Sequence, residues 1–149
     1  MGAIKHIHHE SFSIDREGTN TWRYAQAGAK LIVGISPHEV DIIKKTEREL
    51  KDLDKIIGLL QHEQLDALFI EGFHTLAAKR PDIIKIVTAK EKDDLERTLQ
   101  TTVGPILAIT GVYTKNNPES SYGDIPLVKL PQEGIKLIGL LKKEFREEQ

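Results

Sequence analysis

The sequence predicts an α/β fold built on a mostly parallel sheet, and three stretches predict it. Leu65-Asp66-Ala67-Leu68-Phe69-Ile70-Glu71-Gly72-Phe73 is a short apolar run closed by Glu-Gly, the pattern of a strand buried on both faces. A helical pattern of about four turns precedes it, as helix-to-strand alternation in a parallel sheet requires. Lys30-Leu31-Ile32-Val33-Gly34-Ile35-Ser36, closed by Pro37, is the clearest strand signal in the chain. In parallel sheets ligands gather beyond the carboxyl ends of the strands, and Glu71 falls at such an end. An acid that ends a buried strand suits a Mg²⁺ ion, held directly or through water; a solvated loop glutamate is the plainer alternative.

Taken in order, the chain begins with a strand near residues 3–8, Ile4-Lys5-His6-Ile7-His8. A period of two sets Ile4, His6 and His8 on one face and Lys5, Ile7 and His9 on the other. Histidines there could ligate a transition metal or face a phosphate. Asp15 and Gly18 match D-x-x-G, a loop many GTPases use to sense the γ-phosphate, although so short a motif also arises by chance. Asn20 or Thr21 can cap a short helix, Trp22 to Ala27, that stops at Gly28. The only Trp, two Arg and a Tyr fall between Arg16 and Tyr24, a polar-aromatic cluster that a surface turn would also explain.

Further strands are expected near 39–44, 66–71, 83–87 and 106–110. A helix over 47–62, capped by Thr46 with Glu49 in a capping box, should bury Leu50, Leu53, Ile57 and Leu60. After Glu71-Gly72-Phe73-His74 the chain reads as loop until Pro81, and a helix is expected at 92–101, apolar at Leu95 and Leu99. Thr114 to Asp124 is the longest irregular stretch, and Ile125-Pro126-Leu127-Val128 is a short edge strand. A last helix near 132–146, with Pro131 at its first position, should bury Ile138, Leu141 and Phe145 before a charged tail.

Composition narrows the functional classes. A chain of 149 residues is expected to form one domain, 1–149, with a core of its own. Charged residues make up 30% and nearly balance at a net charge of -2, which argues against nucleic acid or a membrane surface as partner. Cysteine is absent, so thiol catalysis and disulfides are excluded, and a cytoplasmic location is expected. No apolar run approaches the roughly 20 residues that span a bilayer.

Ile4-Lys5-His6, His8-His9, Asp15-x-Glu17-Gly18-Thr19-Asn20-Thr21-x-Arg23, Ala27-Gly28-Ala29 and Glu71-Gly72-Phe73, in that order, resemble the molybdopterin-guanine dinucleotide biosynthesis protein B (MobB) family of P-loop GTPases. The later Ile125-Pro126-Leu127-Val128 and final helix resemble its carboxyl end, so the likeness covers nearly the whole chain. It implies a three-layer P-loop NTPase-like fold and a GTP-binding accessory role in molybdenum cofactor biosynthesis. GTP and Mg²⁺ would be ligands, with molybdopterin as a further one. Glu71, Gly72, Asp15 and Gly18 would serve nucleotide and Mg²⁺; His6, His8, His9, Arg16, Thr21 and Arg23 would face phosphate or pterin. Implied partners are molybdenum cofactor biosynthesis proteins such as a guanylyltransferase, and a second copy of the chain.

The family opens with a strand, a G-x-x-x-x-G-K-[ST] loop and a helix upstream of the Ile-Lys-His strand, and no such loop occurs in this sequence. The fold is therefore expected to be N-terminally incomplete, the chain unable to hydrolyse GTP alone, and no residue is assigned a catalytic role. Apolar residues such as Ile4, Ile7, Leu68 and Ile70 should then favour association. Thr114-Lys115-Asn116-Asn117 is at best a remnant of a guanine-reading T-K-x-D, since an amide cannot accept both guanine N–H donors as a carboxylate does. Two other readings remain: a non-catalytic interaction module, and a metallochaperone GTPase relative that hands over a metal through His6, His8 and His9.

Overall fold

A computed structural model describes residues 1–9 and 11–147, and the end of the charged tail lies outside these residues. They form two compact units, Met1–Gly72 and Phe73–Gln149.

In the first unit, β1 (Gly2–Lys5) pairs in parallel with β4 (Leu68–Glu71), in the register Gly2 to Leu68 through Lys5 to Glu71. Parallel pairing needs a long crossover, and everything between the two strands supplies it. That crossover contains α1 (Asn20–Gln26), the antiparallel hairpin of β2 (Leu31–Ile35) and β3 (Val40–Lys44), and α2 (Leu53–Ile57) running into a 3₁₀ turn, Gly58–Leu60. Thr19 caps α1 by accepting the Trp22 N–H, one residue before the expected cap, and Gly28 follows its end with φ 97°.

Three expectations for this unit change. The strand at 3–8 is shorter, because after Lys5 only the His6 N–H, bonded to the Glu71 carbonyl at 2.8 Å, extends the ladder. The helix at 47–62 is confined to Leu53–Ile57, because the Asp52 carboxylate captures the Asp54 and Lys55 N–H groups and starts the helix there. Its buried pair is accordingly Leu53 and Ile56, one turn apart, and Leu50 is exposed. Finally, β4 is not buried on both faces. Leu68 and Ile70 are half-buried while Phe69 and Glu71 lie open, the alternation of a strand with one covered face.

In the second unit, β5 (Lys85–Thr88) pairs in parallel with β6 (Ile106–Thr110), and α4 (Lys92–Thr101) forms the crossover between them. Val87, Ala89, Leu95, Ile109 and Leu127 make the core, with Tyr122 packed against it and its hydroxyl 3.2 Å from Glu96 Oε1. Ile109 also bridges in parallel to Leu127, just past the short β7 (Ser121–Tyr122) and β8 (Ile125–Pro126) pair. At the amino end of β5 the Lys85 ammonium donates to the Arg80 and Val103 carbonyls. Burial pushes its pKa down, and Asp82 opposes that shift.

Two single helical turns overlap the starts of stretches expected to be irregular: α3 (His74–Ala77), entered through Phe73 at φ 53°, and α5 (Val112–Lys115). The final helix, α6 (Gly134–Glu147), starts three residues after Pro131. It half-buries Leu137, Leu140 and Leu141, whereas Ile138 and Phe145 face out. The sequence offers two aliphatic stripes about one residue apart. The Lys136 ammonium, bonded to the Leu127 carbonyl at 2.8 Å, fixes which one turns inward. No helix among the described residues is long and apolar enough to cross a membrane.

Candidate functional site

The carboxyl ends of β1 and β4 form one rim, because parallel strands in direct register finish together. Glu71 and His6 lie on this rim and His8 stands against His6, while the Asp15–Arg23 segment follows them in sequence.

Glu71 stands opposite Lys5, and their side chains form an ion pair; both are about two-thirds exposed, 68% and 65%. Strand alternation gives these two residues one face of the pair, shared with Ala3 and Phe69. His6 leaves the rim on the other face. Its ring lies 4.2 Å from that of His8, centroid to centroid, at an interplanar angle of 62°. Gly72, with φ 87°, passes so close to His6 that a Cβ on it would stand 2.6 Å from the His6 Cβ. The glycine after Glu71 is thus required by backbone conformation and by close approach together.

Asp15 organises the segment that follows the histidines. Its Oδ1 accepts from the hydroxyls of Thr19 at 3.0 Å and Thr21 at 2.8 Å, while its own N–H donates to Ser13 Oγ. Asp15 Oδ2 is buried and has no hydrogen-bond partner among the described residues. Gly18, at φ 87°, makes the turn that the Thr19 N–H closes on the Arg16 carbonyl. The D-x-x-G spacing therefore has a local cause: a left-handed turn and a carboxylate gathering two hydroxyls at the start of α1. Arg16, Arg23 and Tyr24 are exposed, and Trp22 is half-buried.

The three histidines do not assemble a metal centre. No group of three or more His, Cys, Asp or Glu among the described residues could hold an ion, and His9 is exposed. Thr114 and Asn117 are occupied structurally. The Thr114 hydroxyl is fully buried, 2.9 Å from the Gly111 carbonyl and 3.2 Å from that of Val128, and Asn117 Oδ1 accepts the Glu119 N–H. In the second unit a cleft of about 230 Å³ between β6 and α6, lined by Ile84, Ile106, Leu107 and Leu140 together with Lys143 and Glu144, is smaller than usual ligand pockets.

Sequence reasoning did not anticipate Lys5 as the partner of Glu71 or Thr19 as the cap and ligand of Asp15. Thr19 was detectable as a side-chain oxygen just before the helix. The Lys5 pairing depends on register between strands more than sixty residues apart, for which no local signal exists.

The model of the family described as "Molybdopterin guanine dinucleotide synthesis protein B", MobB, matches residues 1–109. The chain belongs to the MobB family. A relative in Methanocaldococcus jannaschii, named a putative molybdopterin-guanine dinucleotide biosynthesis adapter protein, is 38% identical over 93 residues, covering 62% of this chain and 37% of its own length. A probable adapter protein of the same name in Bacillus subtilis is 33% identical over 129 residues, 85% of this chain and 66% of its own. The chain thus spans less than two thirds of either relative. Among solved structures, a crystal structure of MobB superposes with a TM-score of 0.64 at 20% identity, covering 97% of this chain and 78% of that one. Bacillus subtilis MobB superposes with a TM-score of 0.61 at 26% identity, covering 95% and 75%. The fold is the α/β, P-loop NTPase-like fold of MobB, with parallel strand pairs in both units.

Proposed function

We propose that this chain acts as an adapter in biosynthesis of the guanine dinucleotide form of the molybdenum cofactor, binding GTP·Mg²⁺ or the anionic pterin at the β1–β4 rim. The observation that carries this reading is the rim itself: in a member of the MobB family, the parallel register finishes Glu71 and His6 together. The relatives' names, biosynthesis adapter proteins, support the pathway.

The residues fit part of what GTP·Mg²⁺ requires. Glu71, and separately the buried unpartnered Oδ2 of Asp15, are hard oxygen donors of the kind Mg²⁺ takes. His6, His8 and His9, with Arg16, Thr21 and Arg23, supply donors for phosphate or pterin oxygens, Arg23 with bidentate geometry and the histidines more strongly once protonated. Gly18 and Gly72 hold the turns. The phosphate cradle does not fit, because the sequence has no G-x-x-x-x-G-K-[ST]. No hydrolytic step is therefore assigned to this chain; it binds and presents its ligand to a guanylyltransferase-type partner in the cytoplasm.

Trp22 is the only tryptophan and lies between Asp15 and Arg23, so its fluorescence probes this segment. Titration with Mg·GTP, and separately with molybdopterin, should give a saturable change for at least one ligand, weakened in Glu71→Ala and Arg23→Ala. Absence of any saturable response to both ligands would overturn the assignment.

A further inference from the structure

The last helix, α6, carries a second apolar stripe that the core of its unit does not use. Ile135, Ile138 and Phe145 recur at helical spacing on its outer side and stand 87%, 52% and 37% exposed. Lys142 and Arg146 continue the row from Ile138 in steps of one turn, both exposed, and neither is held in an ion pair among the described residues. Glu144 lies on the inner side, where it lines the β6–α6 cleft with Leu140. The charge on the outer stripe among the described residues is therefore all basic. Gly139 sits in the middle of this 14-residue helix, exposed, one turn after Ile135. A Cβ there would meet nothing within 4 Å, so no packing inside the chain requires a glycine. In a helix interior glycine costs stability relative to alanine, because it loses more freedom on folding. What it supplies is a notch beside Ile135, Ile138 and Lys142, through which another backbone can come close.

We propose that the outer face of α6 docks an acidic amphipathic helix of a protein partner. The partner's apolar side lies on Ile135, Ile138 and Phe145, its backbone comes closest at Gly139, and its flanking carboxylates meet Lys142 and Arg146. Charge and shape select this occupant. An acidic helix gains attraction and register from the two cations, whereas a second α6 would set Lys142 and Arg146 against themselves. A lipid surface has no ridge to seat in a notch and gives Gly139 no role. The proposal rests on the adapter reading above and assigns the surface by which the chain holds its guanylyltransferase-type partner.

The test is binding of the full chain to the purified molybdenum cofactor guanylyltransferase of the same organism, followed by isothermal titration calorimetry. The expected result is a saturable complex that added salt weakens. Ile135→Glu and Lys142→Glu should each raise the dissociation constant at least about tenfold. Gly139→Ala should raise it as well while raising the thermal unfolding midpoint of the chain, a combination that a damaged fold would not show. Absence of any complex overturns the proposal. So does a dissociation constant unchanged in Ile135→Glu or in Gly139→Ala, or variants that instead lose binding to vesicles of phosphatidylglycerol and phosphatidylcholine. The Trp22 titrations with Mg·GTP and molybdopterin are repeated on the same variants and should be unchanged. A chain that binds neither ligand fails the rim assignment alone, and a ligand-binding chain whose complex ignores α6 fails this one alone.

Discussion

Lys5 and Glu71 stand directly opposite each other at the last position of the β1–β4 pair, and their side chains are joined in an ion pair. Both are largely exposed, so water screens the attraction. Lys5→Ala and Glu71→Ala should each change the unfolding free energy by no more than about 1 kcal/mol in urea titrations. Loss of ligand binding in Glu71→Ala would then report chemistry at the rim and not a damaged fold.

Gly72→Ala should behave differently. The residue has φ 87°, and its new methyl would meet the His6 Cβ at 2.6 Å. The expected destabilisation is on the order of 1–3 kcal/mol by chemical denaturation. His6→Ala keeps the Cβ and should not relieve it, whereas His6→Gly should relieve the steric part in the double variant.

Asp82 sets an acid limb. A hydrogen bond from Arg80, with further help from its own backbone N–H, lowers its carboxyl from 3.8 to about 2. A depressed carboxylate pKa means the folded state prefers the ionised form. The resulting stabilisation is present above the unfolded value of 3.8 and is lost as pH falls through about 2. Stability measured between pH 5 and 2 should fall less steeply in Asp82→Asn, and the carboxyl carbon of Asp82 should titrate near 2 by NMR.

Thr114→Val tests whether the T-K-x-N stretch is structural. The hydroxyl is buried between the Gly111 and Val128 carbonyls, so removing it strands buried acceptors at a cost of about 1–2 kcal/mol. Under the proposed function, guanine nucleotide affinity of the folded variant should equal that of the parent.

Where the sequence was informative, one local cause dominated. The helix at Lys92–Thr101 and the strands Leu31–Ile35 and Ile106–Thr110 lie at their expected residues, because periodicity and flanking Pro or Gly agree there. The helix before β4 was misplaced because two capping groups competed: Thr46 heads the longer apolar pattern, but Asp52 holds two N–H groups. The face of α6 was misread because Leu137-Leu140-Leu141 and Ile138-Leu141-Phe145 are both acceptable stripes, and a tertiary bond from Lys136 chooses. At the candidate site the residues were visible as a set, but their pairings were not. Lys5 meets Glu71, and Asp15 meets Thr19 and Thr21, through register and turn geometry that only the folded chain supplies.

The contact between Gly72 and His6 has a bearing on how variation in this chain would be interpreted. A random-mutagenesis library would be depleted at position 72 whatever ligand the rim binds, because every L-residue there displaces a histidine. Intolerance at 72 thus measures steric room, while tolerance at Glu71, one position earlier and exposed, would follow its ion pair with Lys5 and, under the proposed function, the ligand. Two neighbouring codons would record two unrelated pressures, and position 72 would be constrained even in a chain that bound nothing at the rim.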